Sequence, residues 1–255
     1  MMYGPAGAAL ASGPGAVLGN PALAGNGFAA SGGRWNLSTT AISAAGGISP
    51  GGVTLAAGML YIGRGDLTGR DASGEVTGGY SFSTGCALAG ASFPLVGWLN
   101  AGISAGIAWE DPGNGIGTGI AAGAGIAGEP ISGLRFGAGV SGLGVAPSWN
   151  GIRKDMPATV YTAVEWSVSP LFDLFAGGGL GFSTAGSFGG GASLHIGDIA
   201  CSAGYAASPS EDEITGIFGG LRYVYRSGGV YTIEAAFTQR RSMDWPVMAG
   251  ISVNL

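Results

Sequence analysis

Side chains able to do chemistry are scarce in this chain, and they are widely spaced. His195 is the single histidine among 255 residues. A catalytic triad would need a serine and an acid beside it, and its place in an alternating segment reads instead as an inward-facing structural residue. Asp66, Asp71 and Glu75 share one loop and carry oxygen ligands of the type calcium prefers. They lack a recognised ligand spacing, so no metal site is expected. Cys86 and Cys201 are too few and too far apart for a zinc pattern or a disulfide framework. They read either as one bridge in an oxidising compartment or as two small apolar side chains in a wall. Matches to G-x-G-x-x-G arise by chance among 54 glycines, and none opens a strand–helix–strand unit. Arg64-Gly65-Asp66 spells an adhesion tripeptide but reads as a solvated loop. No enzyme and no cofactor are expected.

The elements around these residues are more informative. Only 10% of residues are charged and the mean hydropathy is +0.38, against roughly 25% charged residues in an ordinary soluble domain. So few charges cannot cover a water-exposed surface. The glycines have no three-residue period, which excludes collagen. An apolar share of 46% argues against disorder, and a net charge of -5 offers no basic face to nucleic acid.

Val76 to Trp109 contains no charged residue, yet recurrent glycine, at about 1 kcal/mol per helical position relative to alanine, argues against a membrane helix. Alternation fits better. Leu99, Ala101, Ile103, Ala105, Ile107 and Trp109 share one face; Asn100, Gly102, Ser104, Gly106, Ala108 and Glu110 share the other. Val160, Thr162, Val164, Trp166 and Val168 oppose Tyr161, Ala163 and Glu165 in the same way. A soluble sandwich would turn a charged face to water. Here the second face is Gly, Ala and Ser, which points to lipid outside and a lumen inside. Trp35, Trp98, Trp109, Trp166 and Trp245 fall near segment ends, where a transmembrane barrel carries its aromatic girdle.

Turn signals divide the chain into strands near 27–35, 38–47, 52–62, 75–93, 97–109, 116–128, 132–144, 157–168, 172–183, 186–195, 198–207, 213–226, 230–239 and 246–255. Bacterial barrels have an even strand count, with short turns on one side and long loops on the other. Keeping 75–93 whole puts the charged connections 63–74, 110–116, 146–155, 208–213 and 239–245 on one side. The short turns at 49–52, 94–97, Pro130, 169–171, 196–198 and 227–229 then collect on the other, with the carboxyl terminus. The expectation is an all-β fold: a 14-stranded antiparallel transmembrane β-barrel over 26–255 with an N-terminal plug over 1–25. A hairpin closed at Ser227-Gly228-Gly229 sets Arg222 opposite Glu234, as a hydrogen-bonded pair inside the lumen. Asn100, Arg135, Tyr161, Glu165, Asp173 and His195 share that inward parity.

Asn20-Pro21-Ala22-Leu23 closes the non-periodic opening segment just before the first strand. Gly63-Arg64-Gly65-Asp66, the run Gly69 to Glu75, and Gly78-Gly79-Tyr80-Ser81-Phe82 follow. This order resembles outer-membrane proteins of the PorV/PorQ group within the FadL-like barrel superfamily. The resemblance implies that the Asn-Pro-Ala segment folds into the barrel as a hatch. It also implies an outer-membrane location, with lipid around the wall. Its functional implication is a passive channel for hydrophobic small molecules, or an accessory that partners a secreted protein in type IX secretion. A cell-surface β-protein that assembles with itself is the alternative. No signal peptide is visible in the opening residues, so an upstream segment is expected.

Inward Gly and Ala have two readings: room for a ligand path, or close packing of the wall on its plug. Thr84-Gly85 reads as a kink in a long strand, and as the place for a sideways gap through which an apolar molecule leaves.

Overall fold

The computed structural model describes residues 4–36, 39–113, 115–149, 152–153, 156–182, 186–209, 215–239 and 245–254. Most of the charged loops 208–213 and 239–245, part of 146–155, and residues 1–3 of the plug lie outside that set. Fourteen long strands form the wall: β1 Gly27–Asn36, β2 Thr39–Ile48, β3 Thr54–Arg70, β4 Val76–Val96, β5 Leu99–Asp111, β6 Gly117–Ile131, β7 Leu134–Trp149, β8 Thr159–Ser169, β9 Phe172–Gly181, β10 Ser187–Ile196, β11 Ile199–Ala207, β12 Gly216–Arg226, β13 Val230–Thr238 and β14 Val247–Asn254. A two-residue strand, Ile152–Arg153, pairs with the end of β7. Each long strand is antiparallel to its chain neighbours, and β1 pairs with β14 from Phe28↔Val253 to Arg34↔Val247, closing the ring. Closure leaves the sheet with no free first or last strand, which a wall in lipid requires.

Val76–Val96 is one strand of 21 residues, as the parity argument requires. The strands overrun the expected loops in two places. Residues 63–70 belong to β3, so the connection to β4 shrinks to 71–75, and β7 extends to Trp149. Gly, Asp and Arg mark these stretches as loop by composition, yet a neighbour for pairing keeps them extended. A bulge between Arg64 and Leu67, with Asp66 at φ 57°, absorbs the irregularity.

The alternation read from sequence separates outside from inside. Ile103, Ile107 and Ile120 are more than half exposed, whereas Ser104 between the first two is 5% exposed. The outward side chains form the lipid face. Tyr223, Tyr225 and Trp166 project outward near the short turns, and Phe188, Tyr205, Phe237 and Trp245 near the loops. Trp245 stacks on Phe237. Two aromatic belts therefore bound the apolar band.

Inside lies the N-terminal segment expected as a hatch: a four-residue helix α1, Gly7–Leu10, with 3-10 turns at Gly4–Ala6, Pro14–Leu18 and Pro21–Leu23. Its helical turns satisfy part of its own backbone, so it needs no place in the sheet. Ala6, Ala9 and Leu10 pack against Tyr161, Ala163, Phe175, Ala206 and Phe218. Val17 and Ala24 pack against Ala45 and Ala56 on the other side. These contacts form the protein's buried core.

Candidate functional site: a hatched lumen with two cavities

Asn20 is the centre of the hatch. It is fully buried, and its Oδ1 accepts the Ala22 N–H at 3.2 Å, capping the turn whose first residue is Pro21. Its Nδ2 donates to the Ala9 carbonyl at 3.2 Å and to the Ile126 carbonyl of β6 at 3.1 Å. One amide thus ties two parts of the hatch to the wall. Ser92 of β4 donates to the Ala22 carbonyl at 2.8 Å, Tyr161 of β8 to the Gly19 carbonyl at 2.8 Å, and Arg135 of β7 reaches the Leu10 carbonyl at 3.4 Å. All four anchors sit on the arc from β4 to β8. Leu23, half-buried, points to the turn-side cavity.

Wall glycines make this docking possible. A Cβ at Gly125 would collide with Asn20 Oδ1, one at Gly137 with the Ala9 carbonyl, and one at Gly102 with the Pro21–Ala22 backbone. Of the two readings of the small inward residues, close packing of wall on hatch holds at these positions.

Above the hatch, toward the loops, lies a cavity of about 540 Å³. Leu18 and Gly19 form its floor, and Leu60, Ile62, Leu88, Trp109 and Met156 give it an apolar lining. Thr84, Ser104, Glu110 and Ser141 are the polar minority. Below the hatch, at the short-turn end, a second cavity of about 390 Å³ is lined by Asn100, Glu129, Ser132 and Arg135 together with Leu10, Leu23 and Trp98.

Most of the expected lumen residues face inward, and several meet. Arg135 Nη1 lies 2.8 Å from Glu165 Oε1, the residues being direct cross-strand partners. The other oxygen of Glu165 is buried without a hydrogen-bond partner among the described residues. His195 Nε2 lies 2.6 Å from Asp173 Oδ2. The register Arg222↔Glu234 is as expected, but the hydrogen-bonded pair is not: Arg222 Nε is buried without a partner among the described residues. Correct register brings Cα atoms together and leaves long side chains free to diverge. Asn100 opens into the turn-side cavity.

The kink is a correction. Thr84 and Gly85 pair without interruption with Ile62 and Tyr61 on one side and with Glu110 and Trp109 on the other. Gly85 is a seat: a Cβ there would meet the Trp109 indole, whose ring lies over the bare backbone. Trp109 shares the outward parity of Ile107 and lies half-buried over Gly85. Trp35 departs from the girdle position expected of it, being the extra residue of a bulge between Arg34 and Asn36. Cys86 has inward parity on β4 and Cys201 is exposed on β11, both as free thiols, so the bridge is excluded.

The wall's weak seam lies elsewhere. The β7–β8 ladder ends at Ser141↔Thr159, although β7 runs on to Trp149 while bonded to β6. Past Gly142, Met156 and Pro157 stand where a paired strand would continue, and they line the upper cavity together with Ser141, Gly142, Ala146 and Pro147. Proline has no N–H to donate. The sequence gives no signal for this break, because its residues have the composition of an outer loop.

Among the loop residues, Asp71 is organised by its surroundings rather than by a ligand. The Ser73 hydroxyl and the Glu75 N–H donate to its carboxylate and hold its pKa below the ordinary range. Among the described residues, no group of three or more His, Cys, Asp or Glu could hold a metal ion.

No family model matches the chain, and no curated protein sequence does. Solved structures match over nearly its whole length. The Ralstonia pickettii toluene transporter TbuX is similar at a TM-score of 0.69 and 16% identity, covering 98% of this chain and 97% of that one. The CymD monoaromatic hydrocarbon channel is similar at 0.67 and 11%, covering 99% and 97%. A Pseudomonas aeruginosa FadL homologue is similar at 0.60 and 10%, covering 94% and 92%. The fold is therefore that of the FadL-like 14-stranded barrels.

Proposed function

We propose that this chain is an outer-membrane β-barrel that passes hydrophobic small molecules by a passive route, without catalysis. The observation that carries this reading is the apolar cavity above the hatch, bounded on one side by the β7–β8 seam, where among the described residues the ladder ends at Ser141↔Thr159. Leu60, Ile62, Leu88 and Met156 supply apolar contact, and a few hydroxyls set orientation, which is the usual make-up of a small-molecule site. The floor of the cavity is the anchored hatch, and the space beneath it is lined by Arg135, Glu129 and Asn100. An apolar molecule gains nothing by moving down into that polar space, whereas lipid lies just outside the seam. The exit sideways is between β7 and β8. The transport of toluene and other monoaromatic hydrocarbons by proteins of this fold supports the substrate class.

The test is uptake of radiolabelled toluene by cells carrying the barrel, beside binding of toluene to the detergent-purified protein. Faster uptake than in cells without it, lost when Gly142→Cys and Pro157→Cys are cross-linked across the seam, is the expected result. Absence of both binding and uptake overturns the reading. A secretion accessory of the PorV/PorQ kind rests on the Asn20-Pro21-Ala22 motif alone. It predicts instead that a secreted protein co-purifies with the barrel while toluene uptake is unchanged.

A further inference from the structure

The hatch does not meet the wall in the same way all round. Along the arc from β4 to β8 it is held by the hydrogen bonds of Asn20, Ser92, Tyr161 and Arg135. On the opposite arc, β13–β14–β1–β2, a gap of about 240 Å³ separates hatch residues 11–16 from the wall. The lining differs from that of the upper cavity in kind. Ser12 on the hatch and Ser31, Ser43, Thr232 and Ser252 on the wall present hydroxyls, and Glu234 adds a carboxylate. The remaining lining is Ala and Gly together with Pro14, Met248 and Ile251.

The register stacks these groups across four strands. Glu234 pairs with Gly250, Gly250 with Ser31, and Ser31 with Ser43. One level nearer the short turns, Thr232 pairs with Ser252, and Ser252 with Ala29. Ser31 and Ser43 hydroxyls lie 2.7 Å apart, and Ser43 pairs with Leu60, which lines the upper cavity. The gap therefore lies one strand pairing away from the upper cavity. At about 30 Å³ per water in the liquid, its volume holds roughly eight waters.

We infer that the β13–β14–β1–β2 face of the hatch is a second, hydrophilic path, conducting water and small uncharged polar solutes past the hatch. Hydroxyls exchange hydrogen bonds with such solutes without holding them, and the small neighbours leave width for a file of waters. Glu234 is the single carboxylate of the lining, in register with Arg222 on the next strand. The inference is independent of the seam between β7 and β8.

The test is stopped-flow light scattering of proteoliposomes challenged with glycerol or urea. The expected result is reswelling several-fold faster than in protein-free vesicles. Ser31→Leu/Ser43→Leu, which fills the gap, should return the rate close to that of protein-free vesicles while toluene binding is unchanged. Heat-modifiable gel mobility checks that this variant is folded. As a second route, Ser43→Cys in a Cys86→Ser, Cys201→Ser background is labelled after folding with a bulky water-soluble methanethiosulfonate. Rapid labelling followed by loss of glycerol permeation supports the path. Reswelling no faster than in empty vesicles, or an introduced thiol that the water-soluble reagent does not reach, overturns it.

Discussion

The two cavities on either side of the hatch are built from the same alternating strands and differ in what their inward positions carry. Above, Leu60, Ile62, Leu88 and Met156 line about 540 Å³; below, Asn100, Glu129, Ser132 and Arg135 line about 390 Å³. The upper space can take an apolar molecule out of water. The lower one returns whatever enters it to a polar, charged surface. On the proposed reading, the hatch divides an apolar space above from a polar one below. An apolar solute in the upper cavity has its favourable neighbours beside it, in lipid, and not beneath it. Strand pairing agrees, since the ladder stops at Ser141↔Thr159, next to the upper cavity.

Merging the two spaces is the severest way to break this contrast. Gly137→Leu drives a side chain into the Ala9 carbonyl, and the hatch cannot seat with it present. The expected outcome is a barrel with an undocked hatch, read as residues 4–25 becoming protease-sensitive while the wall remains heat-modifiable. Asn20→Ala is gentler. It removes three hydrogen bonds from a fully buried site, at about 1 kcal/mol each, so hatch docking should weaken by roughly 2–4 kcal/mol. Hydrogen exchange of the Ala22 and Leu23 amides measures it, and rates within a factor of two of the parent would count against the anchoring role. The smallest effect sharpens the contrast without disturbing the hatch. Leu88→Ser makes the upper lining resemble the lower one and removes apolar contact worth about 1–2 kcal/mol. Toluene affinity should fall about tenfold, with glycerol permeation unaltered.

Much of the architecture was legible in the chain because a barrel wall has one rule, repeated. Ile103 and Ile107 outward with Ser104 inward, and the register Arg222↔Glu234, follow from period-two alternation and from a hairpin closed at Ser227-Gly228-Gly229. Asn20-Pro21 was legible as a turn for a local reason, an amide that caps its own backbone. Other parts were not. Gly85 reads as a kink, but the indole that covers it comes from β5, 24 residues later. The β7–β8 break is equally hidden, since Met156 and Pro157 look like any outer loop until the ladder is seen to end at Ser141↔Thr159 among the described residues.

The sequence by itself determined the wall: the strand count, which face meets lipid, the side on which the short turns lie, and that a non-periodic segment precedes the first strand. These follow from hydrophobic periodicity and turn chemistry, which are local. Only the tertiary structure decided where the hatch sits against that wall, which glycines it touches, where the ladder fails, and that two cavities and a hydroxyl-lined gap remain. Those depend on contacts between residues far apart in the chain, such as Asn20 with Ile126 and Tyr161 with Gly19. No periodicity encodes them, because they are set by which small residues face each other once the ring has closed.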